Sequence, residues 1–195
     1  MGFRERYYMK QQKLVITICL LGIIWSIALV ASETIGIGPA KVSIETGSIG
    51  SYTIMEDAPS LSDHRKPDFT YGIYSASLMS NDSHNQVLIE VHKMSISNSL
   101  DAPISNKDEM TGLQHCIERS NLLSPGDDVQ NEPYIIDGHE GIFATVNKDR
   151  ENPLYIVAYS PNQKNDSGNM VCIIGSDFPW NITKDIFDSI ETQMV

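Results

Sequence analysis

The sequence predicts an α+β domain in which a mostly antiparallel sheet is sandwiched between two helices. Two apolar runs, 154–159 and 170–174, are continuous rather than alternating, which is typical of strands whose two faces are both covered. The polar connections beside them are short, and short connections favour antiparallel neighbours. Two segments with apolar residues at helical spacing, 105–121 and 181–194, are available to cover the two faces.

The N-terminal segment predicts export from the cytoplasm. An uncharged apolar run of 18 residues, 14–31, follows four basic residues, as in a membrane-targeting segment whose basic flank stays inside. This length suits both a long signal-peptide core and a helix just able to span a membrane. The sequence Val30-Ala31-Ser32 favours cleavage. Residues 1–32 are therefore interpreted as a signal peptide or an N-terminal membrane anchor.

Residues 33–40 are small and glycine-bearing and are interpreted as a linker, which leaves 41–195 as a single α+β domain. At its start, the β-prone runs 41–45 and 52–55 bracket a turn rich in glycine and serine. This pattern predicts a first hairpin. Prolines and mixed charge then predict a loop over 56–68.

A second strand pair is predicted over 70–79 and 86–96, joined by a run of turn-forming residues. In the later strand, valine and isoleucine alternate with Leu88, Glu90 and His92, so one face is expected to be drier than the other. A polar segment leads into a helix over 105–121, which begins at a sequence that resembles a capping box.

The last part of the chain predicts four strands and a closing helix. After a charged loop over 127–133, the strands 134–136 and 142–146 are predicted to pair around 137–141. Two glycines in this turn can supply the positive φ angles that a hairpin needs. The two continuous apolar strands follow, and Asn181 opens the helix.

Export makes two further patterns meaningful. Asn81, Asn165 and Asn181 each begin an N-glycosylation pattern. Cys116 and Cys172 are the cysteines of the exported part, and an oxidising exterior permits their pairing. A disulfide between them would close a loop of more than fifty residues, worth about 4 kcal/mol in the loop-entropy model. The alternative is two buried free thiols.

The order of elements, with a closing helix carrying Trp180, Ile186, Phe187 and Ile190, resembles the PsbP-like α/β/α sandwich. This family is named for an extrinsic photosystem subunit and includes a nuclear-transport factor and many exported bacterial and archaeal proteins. The resemblance runs from about Lys41 to the end of the chain. It implies a binding or stabilising module without shared catalytic residues. Glycosylation patterns on a membrane-targeted chain also look like archaeal surface proteins of unassigned function.

The charge of the exported part disfavours nucleic acid as a partner. The chain has a formal net charge of -11, with 14 basic and 25 acidic residues. Four of the basic residues and one acidic residue precede the apolar run, so the remainder carries a net charge of -14. Such a surface repels phosphate backbones and anionic lipid headgroups. The expected partner is a protein or another surface component, with membrane contact only through the N-terminal segment.

Two polar clusters are candidates for chemistry. Asp137, His139 and Glu140 crowd one turn and could bind a metal or transfer protons, although turns collect polar residues for structural reasons. The second cluster has the alternate oxygen spacing of a calcium loop, but asparagine replaces the required glycine, which favours a solvated hairpin tip. Its members are Asn147, Asp149 and Glu151.

The remaining histidines and aromatic residues do not form a recognisable site. The histidines at 64, 84, 92 and 115 are spread through loops and predicted elements without metal-ligand spacing. Trp180, Tyr155 and Tyr159 could line a ligand pocket, although packing roles are more common for such residues. No catalytic, cofactor-binding or metal-binding residue is assigned on this basis.

These observations lead to two hypotheses of function. The favoured one is an exported, non-catalytic binding or structural module at the cell surface, working by protein contact at a sheet edge or an acidic face. The alternative is an extracytoplasmic hydrolase or metal-dependent enzyme with a site near the 137–141 turn.

Overall fold

The computed structural model describes residues 31–62, 69–96, 106–149, 151–161 and 169–195. Residues 1–30 of the predicted targeting segment and the glycosylation pattern at Asn165 lie outside these residues. Ser32–Val195 forms one compact unit. Neither helix in the described ranges is long and apolar enough to cross a membrane.

Strands dominate the described residues, and two helices interrupt them. The strands are β1 (Ser32–Ile37), β2 (Ala40–Glu45), β3 (Tyr52–Glu56), β4 (Ser60–Ser62), β5 (Phe69–Ser80), β6 (Gln86–Ile96), β7 (Val129–Ile136), β8 (His139–Val146), β9 (Leu154–Tyr159), β10 (Asn169–Ser176) and β11 (Glu191–Met194). The helices are α1 (Asn106–Arg119), between β6 and β7, and α2 (Trp180–Asp188), between β10 and β11.

The larger sheet is antiparallel throughout and has the order β3-β5-β6-β10-β9-β8-β7, with β4 also paired to β5. Its central strands β10 and β9 are buried on both faces, which explains their continuous apolar sequences. Asp137 and Gly138 alone connect β7 to β8, with φ angles of 51° and 74°. These positive values match the two-residue turn of a hairpin.

The smaller sheet is also antiparallel and has the order β1-β2-β11. A turn at Gly38 and Pro39 joins β1 to β2, and Gly38 has a φ angle of 55°. A Cβ atom on Gly38 would lie 2.3 Å from the ring of Tyr74 on β5. Only glycine therefore allows this turn of the smaller sheet to approach the larger sheet so closely.

Two apolar cores cover the two faces of the larger sheet. The first core packs β1, β2 and α2 against one face, with Ile44, Leu78 and Phe187 among its most buried side chains. The second core packs α1 against β8, β9 and β10 on the opposite face, through Leu113 and Ile117. Both cores consist of residues that follow Ser32.

The predicted fold class was wrong, because the chain is mostly β and a second sheet, together with α2, covers one face of the larger sheet. Two misread segments explain the difference. Residues 33–40, interpreted as a linker, form β1 and its turn, with Ile35 and Ile37 buried. The closing helix ends at Asp188, where Ser189 donates its hydroxyl to a carbonyl of the last turn. The residues that follow form β11 instead of continuing the helix.

Other local predictions had mixed outcomes. The hairpin of 41–45 with 52–55 was wrong, because β2 belongs to the smaller sheet and β3 to the larger one. The predicted loops 56–68 and 127–133 contain β4 and the first half of β7. The predictions of β5, β6, β8, β9, β10 and α1 were confirmed to within a few residues.

Candidate functional site

Strand β3 forms one edge of the larger sheet among the described strands. It pairs with β5 from Tyr52 opposite Ser80 to Glu56 opposite Ala76. Within the described residues, no strand pairs with its other side. The peptide groups along an open side can bond to a strand of another chain.

Apolar side chains are exposed on both faces of this edge. Ile54 is 37 % exposed and Met55 is 43 % exposed on β3, and Met79 of β5 is 36 % exposed. Met79 lies opposite Thr53, so Met55 and Met79 share one face and Ile54 lies on the other. The outer side of β3 and these three side chains are termed the β3 edge.

The opposite edge of the larger sheet, formed by β7, has a different character. Pro133 lies in the middle of β7 and has no N–H to offer to a further strand. Gln130, Asn131 and Glu132 precede it and are exposed and polar, while Ile135 is 64 % exposed. Proline and charge are features that protect a sheet edge from further pairing. The five residues of β3 include no proline and no basic residue.

Carboxylates surround the β3 edge. Glu33 accepts a hydrogen bond from the tyrosine of β3 at 2.8 Å, Asp57 accepts one from a serine of β5 at 3.2 Å, and Asp82 accepts one from a serine before β3 at 3.2 Å. Glu56 is exposed at the end of the strand. Hydroxyl donors orient these carboxylates but leave their negative charge in place. Over 45–85 the sequence has six acidic residues and two basic ones, and both basic residues, Arg65 and Lys66, lie outside the described residues.

One predicted glycosylation site lies beside this edge. Asn81 is exposed in the turn after β5, and its Oδ1 accepts a hydrogen bond from Thr53 Oγ1 at 2.9 Å. The other described site, Asn181, is exposed in the first turn of α2. The hydroxyl of Thr183 in that pattern is buried and donates to a backbone carbonyl at 2.9 Å. Because the Asn81 side chain accepts a hydrogen bond from Thr53 of β3, a glycan on Asn81 would adjoin this strand.

A buried polar network centred on Glu90 connects β6 to the segment after α1. Glu90 and His92 are fully buried, with 2.8 Å between Glu90 Oε2 and His92 Nε2. Glu90 Oε1 accepts hydrogen bonds from N and Nδ2 of Asn121 at 3.0 and 2.8 Å. The expectation of a wetter face on β6 was wrong, because this face is buried as well. Because both side chains are enclosed, we interpret this network as structural.

The 137–141 turn is held by contacts with β9 and β11. Asp137 Oδ2 accepts a hydrogen bond from the backbone N–H of Thr192 at 2.8 Å. The ring of His139 stacks on Tyr159 with 5.9 Å between centroids, and Glu140 is exposed. Throughout the described ranges, no group of three or more His, Cys, Asp or Glu side chains is arranged to hold a metal ion. The predicted trio therefore does not converge on one site.

The two cysteines lie on opposite faces of the larger sheet. Cys172 belongs to the first core and Cys116 to the second, and both are free thiols. Burial raises the pKa of Cys172 to about 12 and that of Cys116 to about 11. Beside Cys172, burial also raises the pKa of Tyr159, whose hydroxyl bonds to Thr192 Oγ1. The sheet between the two sulfur atoms keeps the thiols apart.

The calcium-like cluster lies at the connection after β8. Asn147 has a φ angle of 53°, donates to Asp127 Oδ1 at 2.7 Å and accepts from the N–H of Asp128 at 3.2 Å. Asp149 and Glu151 are exposed. A cleft of about 390 Å³ adjoins Asn147 and Asp127. The side chains of Asn147 and Asp127 hydrogen-bond to each other, and this bond joins the connection after β8 to the loop before β7.

Five aromatic side chains, from β7, β8, β9 and α2, form one packed cluster. Trp180 is 41 % exposed and lies 5.1 Å from the ring centroid of Tyr155 and 5.5 Å from that of Phe143. Phe143 also contacts Tyr134 and Phe187. Trp180 and Tyr155 therefore pack with the core around α2, whereas Tyr159 lies at the hydrogen bond to β11.

No protein-family model, curated protein or solved structure matches this chain. The resemblance to the PsbP-like family stays a prediction.

Sequence reasoning did not single out Ile54, Met55 or Met79. A usable signal was present, because basic residues are missing over both 45–62 and 69–85. Edge strands are commonly protected by lysine or proline, so a β-prone run without either is a candidate for an open edge.

Proposed function

We propose that the chain is an exported, non-catalytic binding or structural module that acts at the cell surface by protein contact at the β3 edge. The difference between the two edges of the larger sheet carries this proposal. Both edges expose apolar side chains, but the β7 edge has Pro133 in the middle of its strand and exposed polar neighbours, whereas β3 exposes Ile54 and Met55 and has no proline. Edges left unprotected in this way pair readily with another strand.

The extracytoplasmic location is supported by the N-terminal sequence and by the start of the compact unit. That unit begins at Ser32, one residue before Glu33, where the exported part is expected to start, so cleavage there would leave β1 complete except for Ser32. The described glycosylation patterns begin at the exposed residues Asn81 and Asn181, which agrees with modification outside the cytoplasm.

The alternative of an enzyme near the 137–141 turn has weaker support. Asp137 is bonded to the backbone of Thr192, and His139 is stacked on Tyr159. Both contacts hold β-structure together, so neither side chain is positioned for chemistry by the contacts that it makes.

Selection of peptide binders tests the proposal. A displayed library of short extended peptides is selected on the full chain in a zwitterionic detergent. The selected peptides are then tested against Ile54→Lys, Met55→Lys and the control Ile135→Lys on the β7 edge. We expect binding to be lost in the first two variants and kept in the third. Selected peptides that bind all three variants alike, or a selection without enrichment, would contradict the proposal.

A further inference from the structure

We infer that the β3 edge accepts an extended segment of another protein that carries apolar and basic side chains, added to the larger sheet as a further strand. This inference rests on the proposed function and names the chemistry of its partner. Three properties of the edge support it: its open peptide groups, the placement of its apolar side chains, and the sign of the surrounding charge.

The first property fixes the conformation of the partner. A chain that bonds to the open peptide groups of Tyr52–Glu56 must itself be extended. Its successive side chains then point to opposite faces of the sheet, with a period of two residues.

The second property provides apolar contact on each face. Ile54 lies on the face of the first core, and Met55 and Met79 lie on the other. Methionine side chains are flexible and adapt to apolar partners of different shape. An apolar residue of the added strand finds a contact whichever face it points to.

The third property selects the charge of the partner. Glu33 and Glu56 lie near the face of Ile54, while Asp57 and Asp82 bond to serines at the two ends of β3. The hydroxyl donors of these bonds are neutral, and the sequence over 45–85 has six acidic residues against two basic ones, Arg65 and Lys66. Basic side chains on the added strand would be attracted to this rim, and acidic ones would be repelled.

The same charge argues against a second copy of this chain as the partner. Two β3 edges could pair about a twofold axis, since antiparallel pairing is self-complementary. Pairing over Tyr52–Glu56 would place each Glu56 opposite Tyr52 of the other copy, whose hydroxyl donates to Glu33, so carboxylates of the two copies would approach each other. Like charges placed across an interface disfavour the pairing.

Two soluble peptides that differ only in charge test the inference. One probe has the sequence Thr-Lys-Val-Lys-Val-Lys-Thr, and the other has Glu in place of each Lys. Fluorescence anisotropy measures the binding of each to the full chain in a zwitterionic detergent, at low and at physiological salt. We expect the Lys peptide to bind at least about tenfold more tightly than the Glu peptide, with a smaller difference at the higher salt concentration.

Variants locate the bound peptide and distinguish a failure of the charge preference from a failure of binding at the β3 edge. We expect Ile54→Lys to lower the affinity for the Lys peptide about tenfold or more. Ile135→Lys should leave this affinity unchanged. Equal weakening by both variants would mean general adsorption to an acidic surface and would overturn the inference. Equal affinity of the two peptides, with Ile54→Lys still weakening both, would overturn the charge argument and keep the proposed function.

Two further outcomes are also decisive. If neither peptide binds and the library selection also fails, the proposed function fails together with the inference. A dimer in sedimentation velocity that Ile54→Lys abolishes would overturn the inference, because a second copy would then be the occupant of the β3 edge. We expect the protein to sediment as a monomer.

Discussion

Replacing Glu90 by alanine should destabilise the protein by about 3–5 kcal/mol, because it removes one member of a fully buried hydrogen-bonded pair and leaves a cavity in its place. The carboxylate accepts hydrogen bonds from Asn121 N and Nδ2, at 3.0 and 2.8 Å, and lies 2.8 Å from His92 Nε2. Asn121 is exposed, so its donors can return to water. His92 is fully buried and loses the carboxylate at Nε2, which accounts for a large share of the cost.

Urea unfolding of the wild type and the variants measures this effect through the extrapolated free energy of unfolding. In a thermal scan, the same loss corresponds to a decrease in Tm of about 6–20 °C for a domain of this size. Glu90→Gln keeps the volume and an acceptor for Asn121 and should cost only about 1–2 kcal/mol. Glu140→Ala, at an exposed position, is the control and should change stability by less than about 0.5 kcal/mol.

A double-mutant cycle shows whether the network acts as a unit. Asn121→Ala removes the 2.8 Å side-chain bond and keeps the backbone bond, so it should cost about 1 kcal/mol. Its effect should shrink in the Glu90→Ala background, because the acceptor is then gone. A Glu90→Ala variant as stable as Glu140→Ala would refute the reasoning, and so would full additivity with Asn121→Ala.

Three further predictions concern packing, thiols and pH. A Cβ on Gly141 would lie 2.5 Å from the carbonyl oxygen of Ala158 on β9, so Gly141→Ala should lower the free energy of unfolding by about 1–3 kcal/mol. Gly112→Ala, with open space in α1, should raise it by about 0.5–1 kcal/mol. Cys116 and Cys172 should resist iodoacetamide until the protein is denatured, because both are buried and burial raises both pKa values. A peptide in which these cysteines are linked, found in a non-reducing digest, would contradict this. Burial raises the pKa of Asp177, so its proton is held more tightly in the folded state. In urea unfolding, the wild type should therefore lose stability relative to Asp177→Asn as the pH rises from about 3 to about 6.

Local sequence was sufficient for elements whose pattern depends on their own burial. Strands β9 and β10 are central in the larger sheet, and their continuous apolar runs reflect burial on both faces. Helix α1 has one apolar stripe, in which Leu113 and Ile117 face the second core. In both cases the pattern that predicts the element is produced by the contacts that the element makes.

Elements that depend on a distant partner were not predictable in this way. The small residues of β1 look like a linker until β2 lies beside them. The stripe formed by Ile186 and Ile190 extends past the end of α2, so the helical pattern hides β11. The pairing of β11 with β2 joins segments about 150 residues apart, and no local pattern records it.

The candidate site is a property of topology more than of local sequence. The run Tyr52–Glu56 is recognisable as a strand, but it has the same composition whether it lies at an edge or in the centre of a sheet. Its exposure follows from the pairing of β3 with β5 alone. The burial of Glu90 and His92 likewise depends on which elements cover that face of β6.

Hydrogen exchange at the β3 edge tests the central claim most directly. Backbone amides of Tyr52–Glu56 are measured by mass spectrometry in the full chain, with and without the Lys peptide at saturation. Strand addition predicts slower exchange at these residues and unchanged exchange at Val129–Ile136, because new backbone hydrogen bonds form only at the β3 edge. Unchanged exchange over Tyr52–Glu56 in a complex that forms, or protection confined to β7, would contradict the claim.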